Sequence, residues 1–194
     1  MAKPRIFISS TYYDLRHVRG SLETFVHSLG YEPVLSEKSD IAYTPDIALD
    51  ESCYREAAAA DVLVLIVGGR YGSEKSDSRT TLSHTFYERY DSITKQEYKS
   101  ALSNNVPIYI VVDAQVYAEY QTFQKNKQNN DIVYAHVDSV NIFHLIEEIL
   151  LQRRNNPLNT FSKYSEIEDW LREQWAGFFR ELLKRTSQSQ QIAS

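Results

Sequence analysis

The feature that most constrains the fold is the run Asp61-Val-Leu-Val-Leu-Ile-Val67, in which every residue after Asp61 is apolar. A segment this short with no polar face has to be covered on both sides. It is too short for a buried helix and far too short for a membrane span. The reading that remains is a strand inside a parallel sheet with helices on both faces. Gly68-Gly69-Arg70-Tyr71-Gly72 then breaks the run sharply.

The flanking sequence supplies matching elements. Arg5 to Ser9 is a short β-branched strand, followed by the N-cap candidates Ser10, Thr11 and Asp14. Leu15, Val18, Leu22, Phe25, Val26 and Leu29 recur at helical spacing, and Gly30 sits where a helix C′ glycine belongs. Pro33 to Leu35 predicts a second strand, and Asp46 to Ala60 a helix. After the Val62–Val67 strand comes a polar stretch, Ser73 to Asp91, that reads as a surface loop. A helix is expected over Ser92 to Asn104, a strand over Val106 to Val112, a helix over Tyr117 to Lys127 and a fifth strand over Ile132 to Val137. A helix over Val140 to Arg154 follows. Pro157 to Ser162 reads as a link to a last amphipathic helix, Ser165 to Lys184, and Thr186 to Ser194 as a disordered tail.

Strict alternation of strand and helix predicts an open five-stranded parallel sheet with helices on both faces, plus the C-terminal amphipathic helix, and the flavodoxin-like order 2-1-3-4-5 is the preferred choice of strand order. The expected division is an α/β domain over 1–150 and a helical extension over 151–194. In that order the first and third strands are neighbours, and their connections leave toward opposite faces. Ligands of such sheets sit at the carboxyl ends of these two strands. The segments after Ser9 and after Val67 are therefore expected to face each other.

Composition narrows the setting. A formal net charge of −5 argues against a nucleic-acid partner held by bulk charge. One cysteine, Cys53, excludes an internal disulfide and leaves no Cys-based zinc set, and the five histidines show no metal spacing. No apolar run reaches membrane length and no signal-peptide core follows Met1. The expectation is a cytoplasmic protein with no metal, no membrane partner and no resident cofactor.

At the expected carboxyl edge, Ser9, Ser10, Thr11, Tyr12 and Asp14 offer hydroxyls, a ring and a carboxylate beside a helix start, chemistry suited to a phosphate or ribose. The alternative is that Thr11 or Asp14 only caps the helix. Gly68, Gly69 and Gly72 allow close backbone approach, while Arg70 suits a phosphate and Tyr71 a base or nicotinamide ring. The alternative there is a tight turn. Thr94-Lys-Gln-Glu97 has the spacing of a capping box, in which Glu97 reaches back to an amide. The functional alternative turns Glu97 toward the strand ends, where a carboxylate can stabilise or trap an oxocarbenium ion at an anomeric carbon. Sequence spacing serves both directions equally. No Walker loop, dinucleotide-binding glycine pattern or serine-hydrolase elbow is present.

Three blocks carry a family resemblance: Arg5-Ile-Phe-Ile-Ser-Ser-Thr-Tyr-Tyr-Asp-Leu-Arg16, Ala60 to Gly72, and Ser92-Ile-Thr-Lys-Gln-Glu-Tyr98 with Ala101. Over roughly Lys3 to Asp113 the chain resembles a widespread uncharacterised domain found at the N-terminus of NACHT and repeat-containing signalling proteins and in bacterial defence loci. That domain looks like a distant relative of TIR domains and of nucleoside 2-deoxyribosyltransferases. The resemblance implies a TIR-like sheet and chemistry at an N-glycosidic bond. The matching glutamate is Glu97, and Ser9, Ser10, Tyr12, Arg70, Tyr71, Ser92 and Thr94 are the implied ligand contacts. NAD or a related nucleotide would be substrate rather than cofactor, in antiviral or stress signalling. The chain departs from a minimal TIR domain in its Ser73–Asp91 loop and its Trp-rich last helix.

Three functions follow from these readings. One is an NAD glycohydrolase-like or ribosyltransferase-like enzyme using Glu97. Another is a non-catalytic module that senses a nucleotide, self-associates or docks a separate effector protein, supported by the Trp170, Trp175, Phe178, Phe179 stripe. The third is a nucleoside deoxyribosyltransferase acting on free nucleosides.

Overall fold

A computed structural model describes residues 3–11, 15–35, 49–69, 94–129 and 131–192. Five parallel strands form one sheet: β1 (Arg5–Ser10), β2 (Glu32–Leu35), β3 (Val62–Val67), β4 (Ile108–Asp113) and β5 (Leu158–Phe161). Their order is β2-β1-β3-β4-β5, the flavodoxin-like arrangement. The helices are α1 (Arg16–Ser28), α2 (Leu49–Ala59), α3 (residues 94–103), α4 (Ala114–Lys125), α5 (Asn141–Leu150) and α6 (Tyr164–Ile192). The Ser73–Asp91 stretch read as a loop lies outside the described residues.

Every residue of β3 is buried, as its unbroken apolar run requires. Alternation along the strands divides the core. Phe7, Leu63, Leu65, Val67, Ile108, Ile110 and Val112 face Cys53 and Ala57 of α2, Tyr98 and Ala101 of α3, and the apolar stripe of α5. Ile6, Ile8, Val62, Val64 and Ile66, of opposite parity, make the other face, where α1 contributes Val18, Leu22, Phe25 and Val26. Gly30, at φ +81°, ends α1 in the left-handed conformation that glycine adopts without strain. Asp113 caps α4 by accepting from the amides of Gln115 and Val116.

The fifth strand is Leu158–Phe161, not Ile132–Val137. β5 is the sheet's edge, and three of its four residues are only half-buried, so Leu-Asn-Thr-Phe carries no hydrophobic signal. The 132–137 segment is irregular instead, and Val133 is 93% exposed. Its backbone is tied to α4: Glu119 accepts from the amides of Ala135 at 2.7 Å and His136 at 3.1 Å.

The chain forms two compact units, Met1–Ser162 and Lys163–Ser194, the second being α6. On α6, Ile167, Leu171 and Trp175 are buried at four-residue spacing and Trp170 is half-buried, whereas Phe178, Phe179, Leu182 and Leu183 are exposed. The helix runs on to Ile192 through the stretch expected as a disordered tail. The hydroxyls of Thr186 and Ser187 bond back to the carbonyls of Leu182 and Leu183, so these two polar side chains are met by backbone within the helix.

Candidate functional site

The site is built at the carboxyl edge, where β1 and β3 lie side by side and the chain's connections diverge. The ladder continues one residue past β1, with Thr11 N donating to Ile66 O at 3.1 Å. The Thr11 hydroxyl then donates to Gly68 O at 3.2 Å and accepts from Gly68 N at 2.9 Å. The segments after Ser9 and after Val67 do meet. Their junction engages the Thr11 hydroxyl as both donor and acceptor.

Ser9 and Ser10 point to opposite faces because strand side chains alternate. Ser9 shares the face of Phe7 and meets α3. Its hydroxyl donates to Glu97 Oε2 at 2.6 Å, with both residues only 1% exposed. One turn earlier on the same side of α3, Thr94 donates to the Ser10 carbonyl at 3.0 Å. Thr94 and Glu97 thus act as a pair that lays the first turns of α3 on the end of β1. Of the two directions open to Glu97, its carboxylate takes the one toward the strand ends. The next residue, Tyr98, is wholly buried in the core, and its hydroxyl has no hydrogen-bond partner among the described residues. Burial first, and the charge of Glu148 second, push that phenol up to about 12.

Gly69 has a packing reason to be glycine. A Cβ there would lie 1.9 Å from the His136 carbonyl oxygen and 2.6 Å from a methyl of Val116. Its own carbonyl accepts from Asp138 N at 2.9 Å. The 131–138 segment therefore closes directly onto the end of β3.

Of the residues singled out from sequence, Ser9, Ser10, Thr11, Gly68, Thr94 and Glu97 come together at the ends of β1 and β3. Gly69 sits beside them against His136. Tyr12, Asp14, Arg70, Tyr71, Gly72 and Ser92 lie outside the described residues. Among the described residues no group of three or more metal-ligating side chains occurs. No described helix is long and apolar enough to cross a membrane.

Sequence inspection passes over Arg19. It is 3% exposed, and it and Glu97 are the buried Arg, Lys, Asp or Glu side chains among the described residues. Its signal is a cation within the apolar stripe of α1, between Val18 and Leu22.

These features define a doubly wound parallel α/β protein with a buried carboxylate and hydroxyls gathered at its topological switch point. Residues 5–176 match the family model described as Domain of unknown function (DUF4062), and the chain belongs to that family. No curated protein matches the chain.

Proposed function

We propose that the protein cleaves or exchanges the N-glycosidic bond of NAD or a related nucleotide, in a signalling or antiviral-defence setting. The reading is supported chiefly by the 2.6 Å bond from Ser9 to the carboxylate of Glu97 at the ends of the two central strands. Glu97 is the proposed catalytic residue and Ser9 its positioning residue.

The chemistry follows from a carboxylate held in a water-poor setting. As the C1′–N bond of a nicotinamide nucleotide breaks, its electron pair leaves with the neutral nicotinamide and the ribosyl carbon becomes cationic. Glu97 stabilises that cation, or closes on it as a ribosyl ester. Attack by water completes cleavage, and attack by another nucleophile completes exchange, each giving up a proton. Holding one carboxylate oxygen on Ser9 fixes the orientation of the group, which is worth rate because misplacement of a reacting group is costly.

The test is nicotinamide release from NAD by purified protein, beside Glu97→Gln. That variant keeps an acceptor for Ser9 and removes the charge, so it is expected to fold and to lose turnover. Retained turnover in Glu97→Gln would refute the assignment.

A second reading, a self-assembling module, draws on α6. Phe178, Phe179, Leu182 and Leu183 expose 41–63% of their surface on neighbouring turns. An apolar stripe of this kind suits association. That reading expects Phe179→Glu to abolish assembly measured by light scattering and Glu97→Gln to leave function intact.

A further inference from the structure

We infer that Ser9 is itself an acceptor in this chemistry: the ribosyl carbon released from nicotinamide passes to the Ser9 hydroxyl, leaving an O-glycosidic modification of the protein at the end of β1. The inference rests on the N-glycosidic reading above and adds to it the identity of one exchange nucleophile.

The strand-end hydroxyls are not equivalent. Thr94 donates to the Ser10 carbonyl at 3.0 Å and Thr11 to the Gly68 carbonyl at 3.2 Å. A carbonyl oxygen holds such a proton in place and does not remove it. Ser9 donates to a carboxylate, Glu97 Oε2, at 2.6 Å. That is the length of a charge-assisted bond, and it puts the hydroxyl proton within reach of a general base. A weakly nucleophilic hydroxyl paired with a base in this way is the arrangement that activates a serine. Among the described residues the Ser9 oxygen takes part in no other hydrogen bond, so its lone pairs are not committed to another donor.

A substrate that reaches Glu97 reaches Ser9 with it, because the two oxygens are 2.6 Å apart. Ser9 and Glu97 are each 1% exposed, so water, the competing acceptor, is scarce beside them. A well-oriented nucleophile held against its target acts with an effective molarity on the order of 10⁵ M or more. The balance closes within the site. The C1′–N bond breaks, and its electron pair leaves on neutral nicotinamide. A lone pair of Ser9 Oγ forms the C1′–O bond, and the hydroxyl proton moves to Glu97 Oε2, which later yields it to solvent. No oxidant, reductant or further reactant enters. The modified Ser9 has no proton left to donate, so the bond that orients Glu97 is lost and nicotinamide release slows as modification accumulates.

The experiment incubates the full chain with NAD, then reads intact mass and peptide maps by mass spectrometry, with nicotinamide measured in the same samples. The expected product carries an ADP-ribosyl group on Ser9. That adduct should survive neutral hydroxylamine, as an O-glycoside does and a ribosyl ester on Glu97 does not. Ser9→Ala and Glu97→Gln are each expected to abolish it. Mapping the adduct on wild type identifies the acceptor even where Ser9→Ala does not fold. An adduct on Glu97 that hydroxylamine removes, an adduct only elsewhere in the chain, or nicotinamide release with no adduct would overturn the inference and leave the N-glycosidic reading standing. So would a Ser9 adduct that forms equally in folded Glu97→Gln, since the carboxylate would then not be the base. Neither release nor adduct would overturn both.

Discussion

Replacing Gly69 with alanine puts a methyl carbon 1.9 Å from the His136 carbonyl oxygen, 2.9 Å from its carbon and 2.6 Å from a methyl of Val116. Two of those neighbours are backbone, so a rotamer change cannot relieve the clash. The 131–138 segment is also held where it is. Glu119 accepts from Ala135 N and His136 N, and Gly69 O accepts from Asp138 N. Moving it by the ångström or more that the methyl requires breaks the Asp138 bond and strains the Glu119 pair. Overpacking of this kind costs about 1–3 kcal/mol, and a lost backbone hydrogen bond about 1 more. The sum, about 2–4 kcal/mol, lowers Tm by about 4–16 °C in a chain of this size. Thermal unfolding followed by far-ultraviolet circular dichroism measures it. Adding Glu119→Ala should make the Gly69→Ala loss smaller than it is alone, because the segment is then freer to withdraw. A Gly69→Ala protein melting within about 1 °C of wild type would refute the packing account of this glycine.

Other perturbations separate the remaining elements of the account. Gly20 lies inside α1, where an added Cβ would meet nothing within 4 Å, so it should respond oppositely. Gly20→Ala is expected to raise stability by about 0.5–1 kcal/mol, and a fall in Tm would contradict it. Tyr98→Phe removes a buried hydroxyl that has no partner among the described residues, so Tm should hold or rise slightly, whereas a drop of several degrees would mean that the hydroxyl is bonded. Ser9→Ala removes the donor to buried Glu97 and is expected to cost about 1.5–3 kcal/mol by urea unfolding; a loss too small to resolve would show the bond to be energetically idle. Burial pushes the Glu148 carboxyl up, but Lys95 and Lys99 outweigh it and hold the group below 4.5. Its contribution is therefore present above the unfolded carboxyl value near 4.5 and lost as pH falls through the lower folded value. Glu148→Gln should flatten the acid limb of stability as pH falls below 4.5, and an unchanged limb would contradict this.

Much of the fold is legible because burial on both faces writes itself into residue choice. The Val62–Val67 run, the α1 stripe ending at Gly30, and the strand–helix alternation point to a parallel α/β sheet, while the alternation alone admits more than one strand order and the structure has 2-1-3-4-5. β5 is illegible for the converse reason: an edge strand half-open to solvent needs no apolar pattern, while Ile132 and Val133 look strand-like in a segment whose course is set by Glu119 and Gly69. The direction of Glu97 is not legible because a capping box and a strand-directed carboxylate have identical spacing. Only the neighbouring position of Ser9, which strand alternation places on the α3 face, separates them. Gly69 reads equally as a ligand-approach glycine, since its clash comes from His136, far along the chain. Arg19 leaves a trace, a cation in an apolar stripe, but its burial is not legible from that alone.

The most direct test of the central claim is nicotinamide release from NAD by wild type and Glu97→Gln, each assayed dilute and concentrated, with melting curves to establish that both are folded. The account predicts release by wild type and none above background by the variant at equal Tm. Equal release by the two proteins, or none by wild type at any concentration together with a Tm unmoved by saturating NAD, would contradict it, since a ligand that binds the native state must stabilise it.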